Sequence, residues 1–229
     1  MEINKYFIEK NVSLIKRGHH TNFLDPVEFR TLSNALKKEN IKFNVFSSFE
    51  DCNSKIIYTT QFPNITLLKL NKKIEHKHIL GNLFNLGINK DTFGDIVVNN
   101  FTYVLVHNNV LDIVKSSLSY IQDSFVEITE VDILEIENHK INFEYISLNV
   151  SSIRIDNVLA KLINTSRSKI DILINDKNVI LNYKELTNKT YFLKENDVFS
   201  VRKYGKFVYN KIIKTTKKDT YIIELKKYI

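Results

Sequence analysis

Residues 165–182 read "TSRSKIDILINDKNVILN". The stretch opens on polar and cationic residues, passes through an apolar segment and ends in "VILN". The pattern predicts a helix from about Ser168 to Asn175 and then a short strand. Ser166 or Ser168 can cap that helix. Arg167 and Lys169 stand in its first turn, at the positive end of the macrodipole, which favours anions. Two cations placed there suit a bound anion: the side chains and the helix-start N–H groups converge on one phosphate. "NDKN" supplies the turn after the helix, with Asn178 expected to take a positive φ.

The neighbouring text has a matching character. "SSIRIDNVLAKLI" (151–163) predicts another helix, with Ile155, Val158, Leu159 and Leu162 on one face and Arg154, Asn157 and Lys161 on another. From Thr190 onward, apolar runs alternate with charged turns and read as strands. The third domain therefore spans residues 150–229.

Two further domains precede it. Residues 2–17 carry apolar side chains, Ile3 among them, at roughly helical spacing, and Gly18 can close the helix. "LDPVE" offers Asp25 as N-cap, Pro26 at the first helical position and Glu28 to complete a capping box. "IKFNVFSSF", "KIIYTTQF" and "NITLLKL" then read as strands, closing a two-helix and sheet domain at residues 1–74. Residues 75–149 follow the order α-β-β-α-β-β. They comprise a helix stopped by Gly87, the strands "DIVVNN" and "FTYVLVHN", a helix over 110–121, and the strands "FVEITEVDILEI" and "KINFEYISLNV". Gly94–Asp95 is expected in a turn. The fold class is α+β in three small domains.

Charge is unevenly spread over the 229 residues, whose net is +7. Residues 1–75 hold 12 Lys/Arg against 8 Asp/Glu, residues 76–149 hold 4 against 10, and residues 150–229 hold 17 against 8. A basic module beside an acidic one implies a polyanion partner for the basic part, with a solvated lysine-rich surface as the plainer reading. At 43% hydrophobic and 26% charged residues, the composition is that of a folded protein rather than a disordered one. The single cysteine, Cys52, excludes an internal disulfide and fits a reducing cytoplasm. No run approaches the length of a membrane span, and the start lacks a signal-peptide core.

Catalytic chemistry finds little foothold. No glycine-rich phosphate loop occurs. Cys52 has no nucleophile signature around it and reads as a small buried residue. His76 and His78 lack the further ligands that zinc requires. The residues thus point to no catalytic site, no metal and no cofactor.

"RIDNVLAKLINTSRSKIDILINDKNVILN" together with "ENDVFSVRKYGKF" resembles the S4 RNA-binding domain. That domain reads R-L-D, then S-R-x-x-A, then I-x-x-G-x-V-x-V-N, then G-D-x-I-x-V-R. The usual glycine of I-x-x-G-x-V is absent, with Asp176-Lys177-Asn178 in the turn, and Asn196 replaces the glycine of G-D. "TNFLDPVE" (21–28) and "HKHILGNLFNLGINKDTFGDIVV" (76–98) resemble YlmH-type S4 proteins of bacteria, with Lys77 and Lys90 where Arg is usual and His78 where Asp is usual. The resemblance implies an N-terminal domain, a middle RRM-like domain and a C-terminal S4 domain. It also implies association with large ribosomal subunits obstructed by peptidyl-tRNA, in ribosome-associated quality control.

On this reading Arg154, Arg167, Lys169 and Arg202 are the principal RNA contacts, followed by Lys203, Tyr204 and Lys206, with Ser166 and Ser168 at the helix start. Asp156 orients Arg154, and Asn182 fixes its strand. The expected partners are ribosomal RNA of the large subunit and tRNA, with protein partners on the acidic middle domain. The protein is expected to be a cytoplasmic monomer that contacts no membrane. Phe101 and Tyr103 on one candidate strand, and Phe143 and Tyr145 on another, read as core or scaffold because the acidic domain repels phosphate. Two alternatives remain: an S4-anchored RNA-modifying enzyme, and an adaptor linked to cell division.

Overall fold

A computed structural model describes residues 4–216 and 220–229. Ile3, expected in the first helix, lies outside them. Helix α1 (Lys5–Lys16) starts at Asn4, whose side chain accepts from the Tyr6 N–H. Helix α2 (Pro26–Lys38) has the full capping box: Asp25 Oδ1 accepts from the N–H groups of Val27 and Glu28, and Glu28 Oε2 accepts from the Asp25 N–H at 2.9 Å. Strands β1 (Asn44–Ser47) and β2 (Lys55–Tyr58) form an antiparallel hairpin. Val12, Ile15, Leu24, Leu32, Leu36 and Ile57 make the core between helices and hairpin.

The next elements are β3 (Ile65–Leu70), α3 (His76–Asn85), β4 (Phe93–Val98), β5 (Thr102–His107), α4 (Leu111–Leu118), the small hairpin β6 (Tyr120–Ile121) and β7 (Ser124–Phe125), and β8 (Ile128–Val131). Strand order is β4-β5-β3-β8, antiparallel throughout. In chain order the sheet and helices run β-α-β-β-α-β, the split β-α-β arrangement. Its first strand was expected in the preceding domain, so the boundary at residue 74 is displaced. The physical reason is visible in "ITLLKL". The strand is paired on both edges, with β5 and β8, and Leu67, Leu68 and Leu70 are all buried. The helix over 110–121 ends at Leu118, and the strand text after 125 gives only β8 before a 3-10 turn at Ile133–Ile136.

Helices α1 and α2 belong to the same compact unit as this sheet, up to Lys140. The reason is a packed joint. Phe23 N–H donates to the Asp91 carbonyl at 2.9 Å, and Asn22 Nδ2 to Asp91 Oδ2 at 2.9 Å. Asp95 accepts from the N–H groups of Ser54 and Asn53 at 2.8 and 3.2 Å. Gly94 lies inside β4 and not in a turn: a Cβ there would stand 2.8 Å from Phe23 Cε1. His107 is 5% exposed, stacks on His20 at 5.5 Å and meets Phe23 at 4.9 Å. Its Nε2 has no partner among the described residues, and burial holds its pKa down at about 4.

The second compact unit is Ile141–Ile229. It begins with β9 (Phe143–Val150), followed by α5 (Ile155–Leu162), α6 (Arg167–Asn175), β10 (Val179–Leu181), β11 (Lys184–Glu185), β12 (Val198–Val201), β13 (Gly205–Thr215) and β14 (Tyr221–Tyr228). The sheet order is β11-β10-β12-β13-β14-β9. Strand β9, expected to end the middle domain, instead pairs along its whole length with β14, from Tyr221↔Val150 to Tyr228↔Phe143. The boundary at 149 therefore moves to 140/141. Helices α5 and α6 cover one sheet face through Ile155, Val158, Leu159, Ile170 and Ile174, against Phe199, Phe207, Tyr209, Ile223 and Leu225.

Candidate nucleic-acid interface

Helix α6 begins at Ser166, whose Oγ accepts from the Lys169 N–H at 3.3 Å. Ser166 is thus the cap, and Ser168 lies within the first turn. Among the described residues, the N–H groups of Arg167 and Ser168 have no acceptor, as helix geometry dictates for the first turn. These two donors share the helix start with the side chains of Arg167 and Lys169, both exposed.

Arg154 stands at the start of α5. Its Nε and Nη2 form a fork on Asp156 Oδ1 and Oδ2 at 3.1 and 2.8 Å. Asp156 is 6% exposed and Arg154 34%, so the carboxylate fixes a half-exposed guanidinium in one orientation. Asn157 links the two helices. With its amide turned to face the donors around it, its oxygen accepts from Arg167 Nη2 at 3.0 Å and from Ser151 Oγ at 2.7 Å. Sequence reasoning missed Asn157 as a positioning residue. Its place beside Arg154 on the helical repeat was the available signal.

The remaining candidates separate from this cluster. Arg202, Lys203 and Tyr204 are exposed in the turn between β12 and β13, and the Arg202 N–H donates to the Asn178 carbonyl at 2.9 Å. They stand by the C-terminal end of α6, about 13 Å of helix away from Arg167. Lys206 is in β13 and alternates away from Phe207, which faces the helices. It therefore lies on the opposite sheet face, with Nζ 5.0 Å from the Tyr183 ring and 4.5 Å from the Tyr228 ring. Strand alternation thus separates Lys206 from Arg167.

Turn chemistry behaves as expected at one position and not at another. Asn196 has φ +69°, in place of the glycine. After α6, however, Lys177 takes the positive φ, +57°, and Asn178 does not. Lys177 N–H donates to the Ile174 carbonyl and Asn178 N–H to the Leu173 carbonyl, the paired bonds that close a helix end. Asn182 fixes its strand: Nδ2 donates to Asp197 Oδ1 at 2.8 Å, and Oδ1 accepts from the Val198 N–H at 3.0 Å.

The middle sheet offers less to a nucleic acid. Tyr103 is 6% exposed and donates its hydroxyl to Glu135 Oε2 at 3.1 Å. Burial raises its pKa, while the hydrogen bond with Lys69 lowers that of Glu135. Phe101 is half-exposed, with Lys69 Nζ 4.7 Å from its ring, at a shallow cleft that Asn71, Glu127, Thr129 and Val131 complete. Among the described residues, no group of three or more His, Cys, Asp or Glu side chains is arranged to hold a metal, and no helix is long and apolar enough to cross a membrane.

Fold and surface thus define a mixed α/β protein with a cationic helix-start cluster on its C-terminal unit. Residues 54–135 match the family described as "Putative RNA-binding domain in YlmH". Over 147 residues the chain is 29% identical to the ribosome-associated protein quality control protein P2 of Bacillus subtilis (strain 168), a match spanning 64% of this chain and 57% of that relative. The cell division protein ylmH from Streptococcus pneumoniae aligns at 18% identity and a TM-score of 0.48, over 60% of this chain and 98% of that one. The chain is thus similar to YlmH-type proteins, with the family match confined to residues 54–135.

Proposed function

We propose that this is a non-catalytic RNA-binding protein that associates with the large ribosomal subunit through residues 150–229, read as an S4 module, in quality control of obstructed subunits. The observation that carries the reading is the start of α6, where two backbone donors without an acceptor among the described residues adjoin the exposed Arg167 and Lys169, and Asn157 ties Arg167 to α5, the helix that Arg154 caps. Such a cluster reads phosphate and shape rather than base edges. The name of the Bacillus relative points the same way. Residues 65–131, with their β-α-β-β-α-β order, are read as an RRM-like scaffold. Its central ring, Tyr103, is buried and unavailable for base stacking, which favours a positioning or protein-facing role.

The test is binding of the full chain to isolated large subunits across a salt series. Each phosphate contact contributes roughly 0.7 to 0.9 to the log–log slope, so Arg167→Ala with Lys169→Ala should weaken binding and flatten the slope by about 1.4 to 1.8. A folded double variant with unchanged affinity and slope would overturn the assignment.

A further inference from the structure

The face of the C-terminal sheet turned away from α5 and α6 has a composition of its own. Alternation along β9, β13 and β14 sends Ile146, Leu148, Phe207, Tyr209, Ile223 and Leu225 toward the helices. It sends Phe143, Tyr145, Lys206, Lys226 and Tyr228 to the other side. Tyr145 is 62% exposed and lies directly across from Lys226. Lys226 Nζ stands 5.8 Å from the Phe143 ring, and Phe143 meets Tyr228 edge-on at 4.9 Å. Lys206 continues the row, held between Tyr228 and Tyr183. Rings and ammonium groups thus lie side by side on three strands, with Val208 of β13 across from Lys226. Glu224, the carboxylate on this part of β14, accepts from Asn210 Nδ2.

We propose that this sheet face binds single-stranded RNA, with Tyr145 as a base-stacking platform and Lys226 and Lys206 following the phosphates. The charge selects the occupant. A face that interleaves lysines with aromatic rings complements a strand of phosphates and bases. The unit Ile141–Ile229 carries 17 Lys/Arg against 9 Asp/Glu, which adds a general attraction for a polyanion. The two lysines sit on adjacent strands in diagonal register, about 7 to 8 Å apart at the backbone, close enough to serve one continuous strand. Lys206 is pre-positioned by the rings on either side of it, and the ring of Tyr145 is the one most open to a base. This site goes beyond the helix-start cluster, which lies on the other side of the sheet, and it does not require that cluster to bind ribosomal RNA.

The probe is a fluorescently labelled oligouridylate 12-mer, too weakly self-pairing to fold, titrated with the full chain by anisotropy. Tyr145→Ala should weaken binding about tenfold, the loss expected of one stacked base. Tyr145→Phe keeps the ring face and should bind like the parent. Lys206→Gln should lower the log–log salt slope by about 0.7. Arg167→Ala with Lys169→Ala should leave oligouridylate affinity within twofold, even where binding to large subunits is lost. Parental affinity in a Tyr145→Ala variant of unchanged circular dichroism would overturn the proposal. So would equal loss in Tyr145→Phe and Tyr145→Ala, or loss of oligouridylate binding confined to the Arg167 and Lys169 variant. That last pattern would place the strand on the helix side and leave this face to a protein.

Discussion

Lys177 is the clearest place to test the energetics of the C-terminal unit. It holds φ +57° at the end of α6, a conformation that costs a residue with a Cβ roughly 1 to 2 kcal/mol. Lys177→Gly removes that cost and adds about 0.5 to 1 kcal/mol of unfolded-state entropy to be lost on folding. The variant also loses the Lys177–Glu185 ion pair at 3.2 Å, but both partners are largely exposed and such pairs contribute little. The two backbone bonds to Ile174 and Leu173 are kept, because they belong to the main chain. The net expectation is stabilisation by about 0.5 to 1 kcal/mol. With an m-value of about 2 kcal/mol/M, the urea midpoint of the C-terminal unit should rise by about 0.3 to 0.5 M. Lys177→Ala is the control: it removes the same ion pair but retains the strain, and should not stabilise. A glycine variant no more stable than the alanine variant would refute the argument.

Two other perturbations probe the first unit. Gly94→Ala places a methyl group 2.8 Å from Phe23 Cε1 and should destabilise that unit by about 1 to 3 kcal/mol, read as a lower melting temperature. His107, with its pKa held near 4 against 6.5 when unfolded, gives stability that is fully present above pH 6.5 and lost as pH falls toward 4. The loss amounts to up to about 3 kcal/mol, and urea midpoints for His107→Phe should vary less across that window than those of the parent.

The sequence made some features plain and hid others, for reasons tied to distance along the chain. The start of α2 was legible because Asp25, Pro26 and Glu28 act on one another within four residues. Ser166, Arg167 and Lys169 were legible for the same reason, and so was the left-handed Asn196. The membership of β3 and β9 was not. Each strand alternates or runs apolar in a way that announces a strand, but its partner is fixed by residues far away, His107 and Val131 for β3 and Tyr228 for β9. Lys177 was misread because residue preference favoured Asn178, whereas the count of residues from the last helical turn decided the matter. That Lys206 and Arg167 lie on opposite sides of the sheet was not legible, because a linear motif does not say which face of a strand a side chain occupies.

The pairing of β9 with β14 has a consequence for how the C-terminal unit comes into being. Strand β9 is made first and sits at the sheet edge, where β14 is its neighbour. During synthesis it must wait, with its backbone donors and acceptors unpaired, until Tyr221–Tyr228 have left the ribosome. Helices α5 and α6 can form meanwhile from local contacts, but the sheet closes by joining positions more than seventy residues apart, a slow step by its topology. A chain halted before Tyr221 would therefore present two open edges, β9 and β13, each a template for another strand. The folding of the C-terminal unit thus leaves little tolerance for a prematurely stopped chain.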